Sequence, residues 1–206
     1  MTNDSWEELH RLYAQKDWVK KPSLFAVTVK DYLPKSGHIL DLGAGLGQDS
    51  VYFSELGYQV TATDLNIEQL QKVSDHVSSV KAVDLLQRLP FDEAIFDVVY
   101  AHLSLHYFDG QTTQNLFTDI YRVLKPNGLL AFFTNSKDDP EYGQGTQIES
   151  DYFDIQGTAK RYLNVDDAKR FAHSFKPLLL DNMGETYKDS AKGVHNLIRF
   201  IGVKKS

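Results

Sequence analysis

The chain has 206 residues, of which 42% are hydrophobic and 24% charged, a length and balance typical of one globular domain. It contains no cysteine, which excludes disulfide bonds and thiolate zinc sites. Asp and Glu outnumber Lys and Arg by 28 to 22, giving a net charge of −6 that disfavours nucleic acid as a partner. The polar N-terminus and short apolar runs predict neither a secretory signal nor a membrane partner, so a cytoplasmic protein is expected.

Two helical patterns open the chain. The first begins at a capping-box pattern formed by Ser5 and Glu8, and the second begins at Pro22 and runs toward Pro34. Within a single domain of residues 1–206, we predict that residues 1–35 form a helical lid.

Strands then alternate with helices along residues 36–136, the predicted ligand-binding core. Residues 137–206 form a substrate-side segment, in which 136–163 is expected to be loop-like, and a C-terminal hairpin of strands near 177–186 and 195–204. This order predicts an α/β fold with a doubly wound, seven-stranded, mostly parallel sheet whose last strand is antiparallel. The apolar strands of the core are expected at 38–42, 58–64, 80–83, 95–101 and 129–135.

A glycine loop follows the first strand and has the spacing G-x-G-x-G, with Gly43, Gly45 and Gly47. Such a loop permits a tight turn and lets a ligand approach the backbone. Gln48 stands where a dinucleotide fingerprint has its third glycine, and no Gly-Lys-Ser/Thr follows, which excludes a P-loop. A nucleotide-like ligand is therefore expected, but the loop lacks the sequence patterns that are specific for a dinucleotide pyrophosphate or for a P-loop phosphate.

Three carboxylates fall at the ends of three successive predicted strands. Asp41 precedes the glycine loop, Asp64 ends the second strand and Asp84 ends the third. A carboxylate buried at the position of Asp41 favours a cationic ligand group, and one at Asp64 accepts hydrogen bonds from ribose hydroxyls. Asp84 is suited to an adenine amino group, so the ligand is predicted to carry a cation, a ribose and an adenine.

In this order, the segments ILDLGAGLGQDS, VTATDLN, VDLL, FDVVYAHLSLHYF and LKPNGLLAFFTNS resemble the motifs of class I S-adenosylmethionine-dependent methyltransferases. The resemblance covers about residues 36–136 and is nearest to small bacterial enzymes of the tellurite-resistance and related small-molecule type. It implies S-adenosylmethionine as cofactor. It also implies these cofactor-binding residues: Asp41, Gly43, Ala44, Gly45 and Gly47 near the methionine part, Asp64 at the ribose, Leu65, Asp84 and Leu85 at the adenine, and Ala101 and His102 at the methionine and sulfonium.

Methyl transfer from a sulfonium needs a general base only when the acceptor arrives protonated with a high pKa. The candidate catalytic base is His106, with Glu149 and Asp151 as further candidates. The predicted substrate pocket includes Tyr13, Trp18, His106 and Tyr142. His102 and His106 have the spacing of paired metal ligands, but without a third ligand no metal site is expected.

A small-molecule acceptor is expected because the sequence after the fourth strand is Ala-His-Leu-Ser. The Asn- or Asp-Pro-Pro-aromatic motif of enzymes that methylate nucleic-acid bases does not occur there. The paired glutamates of protein-arginine methyltransferases are also absent from this position. Two alternatives stay open: a domain that binds the cofactor without catalysis, and an NAD-dependent oxidoreductase on a similar sheet. The acceptor atom and the oligomeric state are left open.

Overall fold

The computed structural model describes residues 3–187 and 196–205, apart from the side chains of residues 3–6, 9 and 18. These ranges contain ten strands and five α-helices, joined by loops and short 3₁₀ helices. The helices are α1 Asn3–Tyr13, α2 Leu24–Val29, α3 Gln48–Glu55, α4 Gly110–Val123 and α5 Val165–Phe171. The strands are β1 His38–Leu42, β2 Gln59–Asp64, β3 Ser79–Ala82, β4 Phe96–His102, β5 Leu124–Thr134, β6 Thr146–Glu149, β7 Tyr152–Ile155, β8 Thr158–Arg161, β9 Phe175–Gly184 and β10 Leu197–Lys204.

Seven strands form one sheet in the order β3-β2-β1-β4-β5-β10-β9. The first five pair in parallel, and β10 lies antiparallel between β5 and β9. The predicted seven-stranded, mostly parallel sheet with an antiparallel C-terminal strand is therefore confirmed. Since the chain order reverses at β1, β1 and β4 leave a crevice beyond their carboxyl ends, where this type of sheet binds ligands.

The central strands are apolar on both faces because each face is covered. Ile39 and Val98 pack into one hydrophobic layer, whereas Leu40 and Val99 pack into the other. The alternation follows from the two-residue period of a strand and fixes which side chains point toward each layer.

Two connections differ from the predicted alternation. The segment between β2 and β3 contains a short 3₁₀ helix, Leu70–His76, in place of an α-helix, and β3 is joined to β4 by a loop. The second N-terminal helix is also short, since α2 is followed directly by the 3₁₀ turn Lys30–Tyr32.

Residues 136–163 were expected to be loop-like, but they contain a separate three-stranded antiparallel sheet of β6, β7 and β8. The β7–β8 turn is formed by Gln156 and Gly157, with φ angles of 54° and 82°. Positive φ at both central residues matches the right-handed twist of a two-residue hairpin. Gln at the first position is an uncommon sequence for this turn, so the hairpin gave only a weak signal.

Arg161 attaches this small sheet to the rest of the protein. Its guanidinium is paired with Glu149 and its Nε donates to the carbonyl oxygen of Phe108 at 3.0 Å. Glu149 in turn accepts a hydrogen bond from the Gly110 N–H at the start of α4, at 2.6 Å. The small sheet is thereby held beside the carboxyl end of β4. Within the described ranges, no helix is both long and apolar enough to cross a bilayer.

Candidate functional site

A cavity of about 500 Å³ opens at the carboxyl ends of the parallel strands. Asp41 lies in β1 just before the glycine loop, Asp64 ends β2 and His102 ends β4, and all three side chains line this cavity. Residues that are 23 to 61 positions apart in the sequence meet here because the parallel strands all end at this edge of the sheet.

Two glycines in the loop occupy positions that no side chain fits. Gly43 has a φ of +71°, and a Cβ there would lie 2.4 Å from the Cβ of Ser104. Gly47 has a φ of +78°, and a Cβ there would lie 2.5 Å from Cγ2 of Val73. Both residues combine a left-handed backbone with close packing, so the loop shape depends on glycine at each.

Asp41 is a buried carboxylate on the cavity wall, only 2% exposed. Its Oδ2 accepts a hydrogen bond from the Ser50 hydroxyl at 2.5 Å. Burial raises the pKa of Asp41 to about 8 because the charged form loses its hydration. A cationic ligand group in the cavity would stabilise the ionised form, and this arrangement fits the α-ammonium of an amino acid.

A second buried carboxylate, Asp49, lines the same end of the cavity. Its Oδ1 accepts from the Ser23 N–H at 2.6 Å, and its Oδ2 accepts from the Ser23 hydroxyl at 2.8 Å and the Tyr100 hydroxyl at 2.6 Å. Burial, with Asp49 nearby, raises the pKa of Tyr100 well above its ordinary value. The network joins α2, α3 and β4. No local sequence pattern predicts this network, because its members are 26 and 51 residues apart.

Asp64 and Asp84 also line the cavity. Asp64 accepts backbone hydrogen bonds from Gly45 at 2.9 Å and Asn66 at 3.0 Å, so it also holds the glycine loop. Asp84 accepts from the Leu86 N–H at 2.9 Å. Each carboxylate has further lone pairs available to ligand hydroxyl or amino groups.

Most of the predicted cofactor residues meet at this cavity. Those that line it are Asp41, Gly43, Ala44, Gly45, Asp64, Leu65, Asp84, Leu85 and His102. Two do not. Ala101 is fully buried in the opposite hydrophobic layer, because its neighbours Tyr100 and His102 take the cavity face of β4. Gly47 packs against the 3₁₀ helix and does not line the cavity.

The predicted catalytic base lies apart from the cavity. His106 is 3% exposed and borders a second, much smaller cavity with Thr134 and Arg161. Burial lowers the pKa of His106 to about 3. The other two base candidates are also occupied, since Glu149 is paired with Arg161 and Asp151 with Lys137 at 2.8 Å.

Of the predicted substrate-pocket residues, Tyr13 lines the cavity. Tyr142 does not line it, because its hydroxyl donates to Asp151 at 2.8 Å and its ring packs against Phe153 and Tyr162. The side chain of Trp18 lies outside the described residues. His10 of α1, which sequence analysis did not select, also lines the cavity, and burial lowers its pKa.

Comparison with known proteins agrees with this geometry. A family model described as a methyltransferase domain matches residues 40–132. A malonyl-[acyl-carrier protein] O-methyltransferase of Enterobacter lignolyticus is 30% identical over 158 residues, which cover 74% of this chain and 59% of the relative. The chain spans about half the length of the curated relatives it matches.

Two solved structures show the same fold. The 1,6-didemethyltoxoflavin-N1-methyltransferase of Burkholderia thailandensis, with S-adenosylhomocysteine bound, has a TM-score of 0.74 at 19% identity and covers 98% of this chain and 85% of its own. An S-adenosylmethionine-dependent methyltransferase of Methanosarcina mazei has a TM-score of 0.72 at 20% identity, and the match covers 86% of this chain and 96% of that protein. At these identities the likeness establishes the architecture of the sheet and its layers.

Proposed function

We propose that this chain, as a class I S-adenosylmethionine-dependent methyltransferase, transfers a methyl group from S-adenosylmethionine to a small-molecule acceptor. One observation carries the proposal. Asp41, Asp64 and Asp84 line a single cavity around the glycine loop, at the carboxyl ends of three neighbouring strands.

The described residues fit the cofactor part by part. The buried carboxylate of Asp41 would hold the α-ammonium group, and Asp64 would accept hydrogen bonds from the ribose hydroxyls. Asp84 would accept from the adenine amino group, with Leu65 and Leu85 packing near the ring. When bound, S-adenosylmethionine supplies a methyl group that is activated by the positive charge of its sulfonium.

The protein's own contribution is to bind, align and exclude water. In-line displacement at carbon is accelerated when the nucleophile is held at near-attack distance in a dry site. His10 and Tyr13 of α1 line the cavity and would cover the bound cofactor. Because His106 lies outside the cavity and its pKa is lowered, we assign it no proton transfer.

The two alternatives have less support. A pyrophosphate beside Asp41 would gain no cation there and would be repelled whenever that carboxyl group is ionised, and Gln48 replaces the third glycine of a dinucleotide site. A domain that binds the cofactor without catalysis would keep the same cavity, so turnover distinguishes it from an enzyme.

Isothermal titration with S-adenosylmethionine, S-adenosylhomocysteine and NAD tests the proposal directly. We expect both adenosyl ligands to bind and NAD not to bind. A screen with labelled cofactor against a metabolite panel then tests transfer. If neither adenosyl ligand bound, the proposal would be abandoned, and binding without transfer to any acceptor would favour the non-catalytic alternative.

A further inference from the structure

Part of the cavity lining is not assigned to the cofactor. It comes from the loop after β4, the small sheet of β6–β8 and the segment after β9. We call these residues the acceptor wall: Tyr107, Phe108, Tyr152, Ala159, Thr186 and Tyr187. Four of the six carry aromatic rings.

Two rings of the acceptor wall, Tyr107 and Tyr152, are held in place by contacts with their neighbours. The Tyr152 hydroxyl donates to the carbonyl oxygen of Tyr107 at 3.0 Å, and the Arg161 guanidinium lies 5.0 Å from the Tyr152 ring centre. The Tyr107 ring is 4.1 Å from the His106 ring, centre to centre. Fixed aromatic surfaces favour a flat partner, which stacks or packs edge to face against them at little entropic cost.

The charges around the cavity disfavour an anionic acceptor. Within residues 3–187 and 196–205, Asp41, Asp49, Asp64 and Asp84 line the cavity, and no Lys or Arg lines it. Arg161 lies behind the wall, where its donors are taken by Glu149, Phe108 and Ser150. A carboxylate in this space would therefore lose its hydration and find no Lys or Arg partner among the described residues, the sulfonium of the cofactor being its one positive neighbour.

The charge of the cofactor disfavours a cationic acceptor as well. The methyl group to be transferred is attached to a sulfonium, so a positive group within reach of it would be repelled at short range in a site of low dielectric. An uncharged acceptor avoids both costs.

Given the proposed function, on which this inference rests, we infer that the acceptor is an uncharged small molecule with a flat aromatic or conjugated ring that packs against the acceptor wall. In this the chain would differ from its relative named malonyl-[acyl-carrier protein] O-methyltransferase, since a malonyl group carries a carboxylate.

Matched probes separate charge from shape. We would titrate the full chain, saturated with S-adenosylhomocysteine, with methyl 4-hydroxybenzoate, 4-hydroxybenzoate, methyl 4-hydroxycyclohexanecarboxylate and a malonyl thioester. The neutral aromatic ester is expected to bind at least about tenfold more tightly than its acid and than its saturated analogue. Equal or tighter binding of the acid or of the malonyl thioester, or no binding of the aromatic ester, would overturn the inference. Binding of S-adenosylhomocysteine in the first step reports separately on the proposed function.

A variant of the wall adds a test that depends on position. Ala159→Leu would fill the acceptor side and should weaken binding of the aromatic ester at least about tenfold, while the affinity for S-adenosylhomocysteine stays within about twofold. Thr158→Leu is the control, since neighbouring residues of β8 point to opposite faces. It should leave both affinities unchanged.

Should Ala159→Leu fail to fold, Tyr187→Ala replaces it. Tyr187 lines the cavity but is 40% exposed, so its removal should be tolerated. We expect it to weaken binding of the aromatic ester severalfold. An unchanged affinity in a folded wall variant would contradict the assignment of the wall.

Discussion

Asp64 has two partners in the protein before any ligand is considered. Its Oδ2 holds the Gly45 N–H of the glycine loop and its Oδ1 holds the Asn66 N–H after β2. The residue proposed to bind the ribose thus also sets the loop that faces the cofactor. Its removal should affect both the affinity for the cofactor and the stability of the loop.

We therefore predict that Asp64→Ala weakens S-adenosylhomocysteine binding by about a hundredfold or more, since two hydrogen bonds to the ligand, together worth about 3 kcal/mol or more, are lost. The melting temperature should also fall. Turnover at saturating cofactor should change much less, because the ribose is distant from the reacting methyl. Isothermal titration and thermal melting measure the first two effects. An affinity equal to that of the wild type would refute the ribose assignment.

We expect Asp41 to make cofactor binding dependent on pH. Burial raises the pKa of Asp41 to about 8, so below that pH the ligand-free protein holds the residue protonated. An α-ammonium group binds the ionised form, and binding must release a proton. From pH 6.0 to 7.5 we predict that affinity for S-adenosylhomocysteine rises with pH by up to about tenfold per pH unit.

The raised pKa of Asp41 also predicts how the stability of the protein changes with pH. Because the pKa of Asp41 is raised on folding, the native state binds more protons than the unfolded state between about pH 4 and pH 8. The contribution of Asp41 to the free energy of unfolding of the ligand-free protein should therefore fall as pH rises through that window, and the fall should appear in the measured profile above about pH 6.5, because below that pH the lowered pKa values of His10 and His106 act in the opposite direction. Asp41→Asn should flatten both pH profiles, whereas Asp75→Asn, at an exposed carboxylate, should leave them unchanged. A wild-type affinity that is flat across this range would contradict the assignment of Asp41.

At the scale of elements, the start of α2 lines the cavity with Ser23 and Leu24, and α1 is the other part of the predicted lid that reaches it. It contributes His10 and Tyr13 to the lining. The lid cannot be removed as far as residue 22 without risk to the core, because Ser23 caps α2 and binds Asp49. A truncation that ends earlier isolates the role of the lid.

We predict that removal of residues 1–16 lowers turnover more than it lowers stability. The cavity would lose one wall and admit water, while the hydrogen bonds of Ser23 would remain. Affinity for S-adenosylhomocysteine should fall at least about tenfold, with a melting temperature within a few degrees of the intact chain. Full activity and affinity in the truncated protein would show that α1 is not a functional lid.

The strands of the main sheet were predictable because each has an apolar run flanked by turn residues. The carboxylates at the ends of β1, β2 and β3 were predictable for the same reason, since parallel strands bring their ends together. The hairpin at Gln156 and Gly157 was not, because Gln is uncommon in that turn. The hydrogen bonds among Ser23, Asp49 and Tyr100 were also not predictable, since they join residues that no local pattern relates.

At the scale of the whole molecule, the charge is negative and several of the basic side chains lie in ion pairs. Arg122 pairs with Asp119 at 2.6 Å, Lys125 with Asp97 at 2.8 Å, and Arg199 with Asp181 at 2.8 Å. Basic groups neutralised in this way have little left to offer a phosphate backbone.

We accordingly predict no appreciable affinity for duplex DNA at physiological salt. Binding to a phosphate backbone depends on the release of counterions by unpaired Lys and Arg, and it weakens steeply as salt rises. A protein with a net charge of −6 gains little from that release. Fluorescence anisotropy with a labelled duplex at about 50 and 150 mM salt measures this, with a basic DNA-binding protein as the positive control. Tight binding that falls steeply between the two salt concentrations would contradict the prediction and would place a basic surface on the chain.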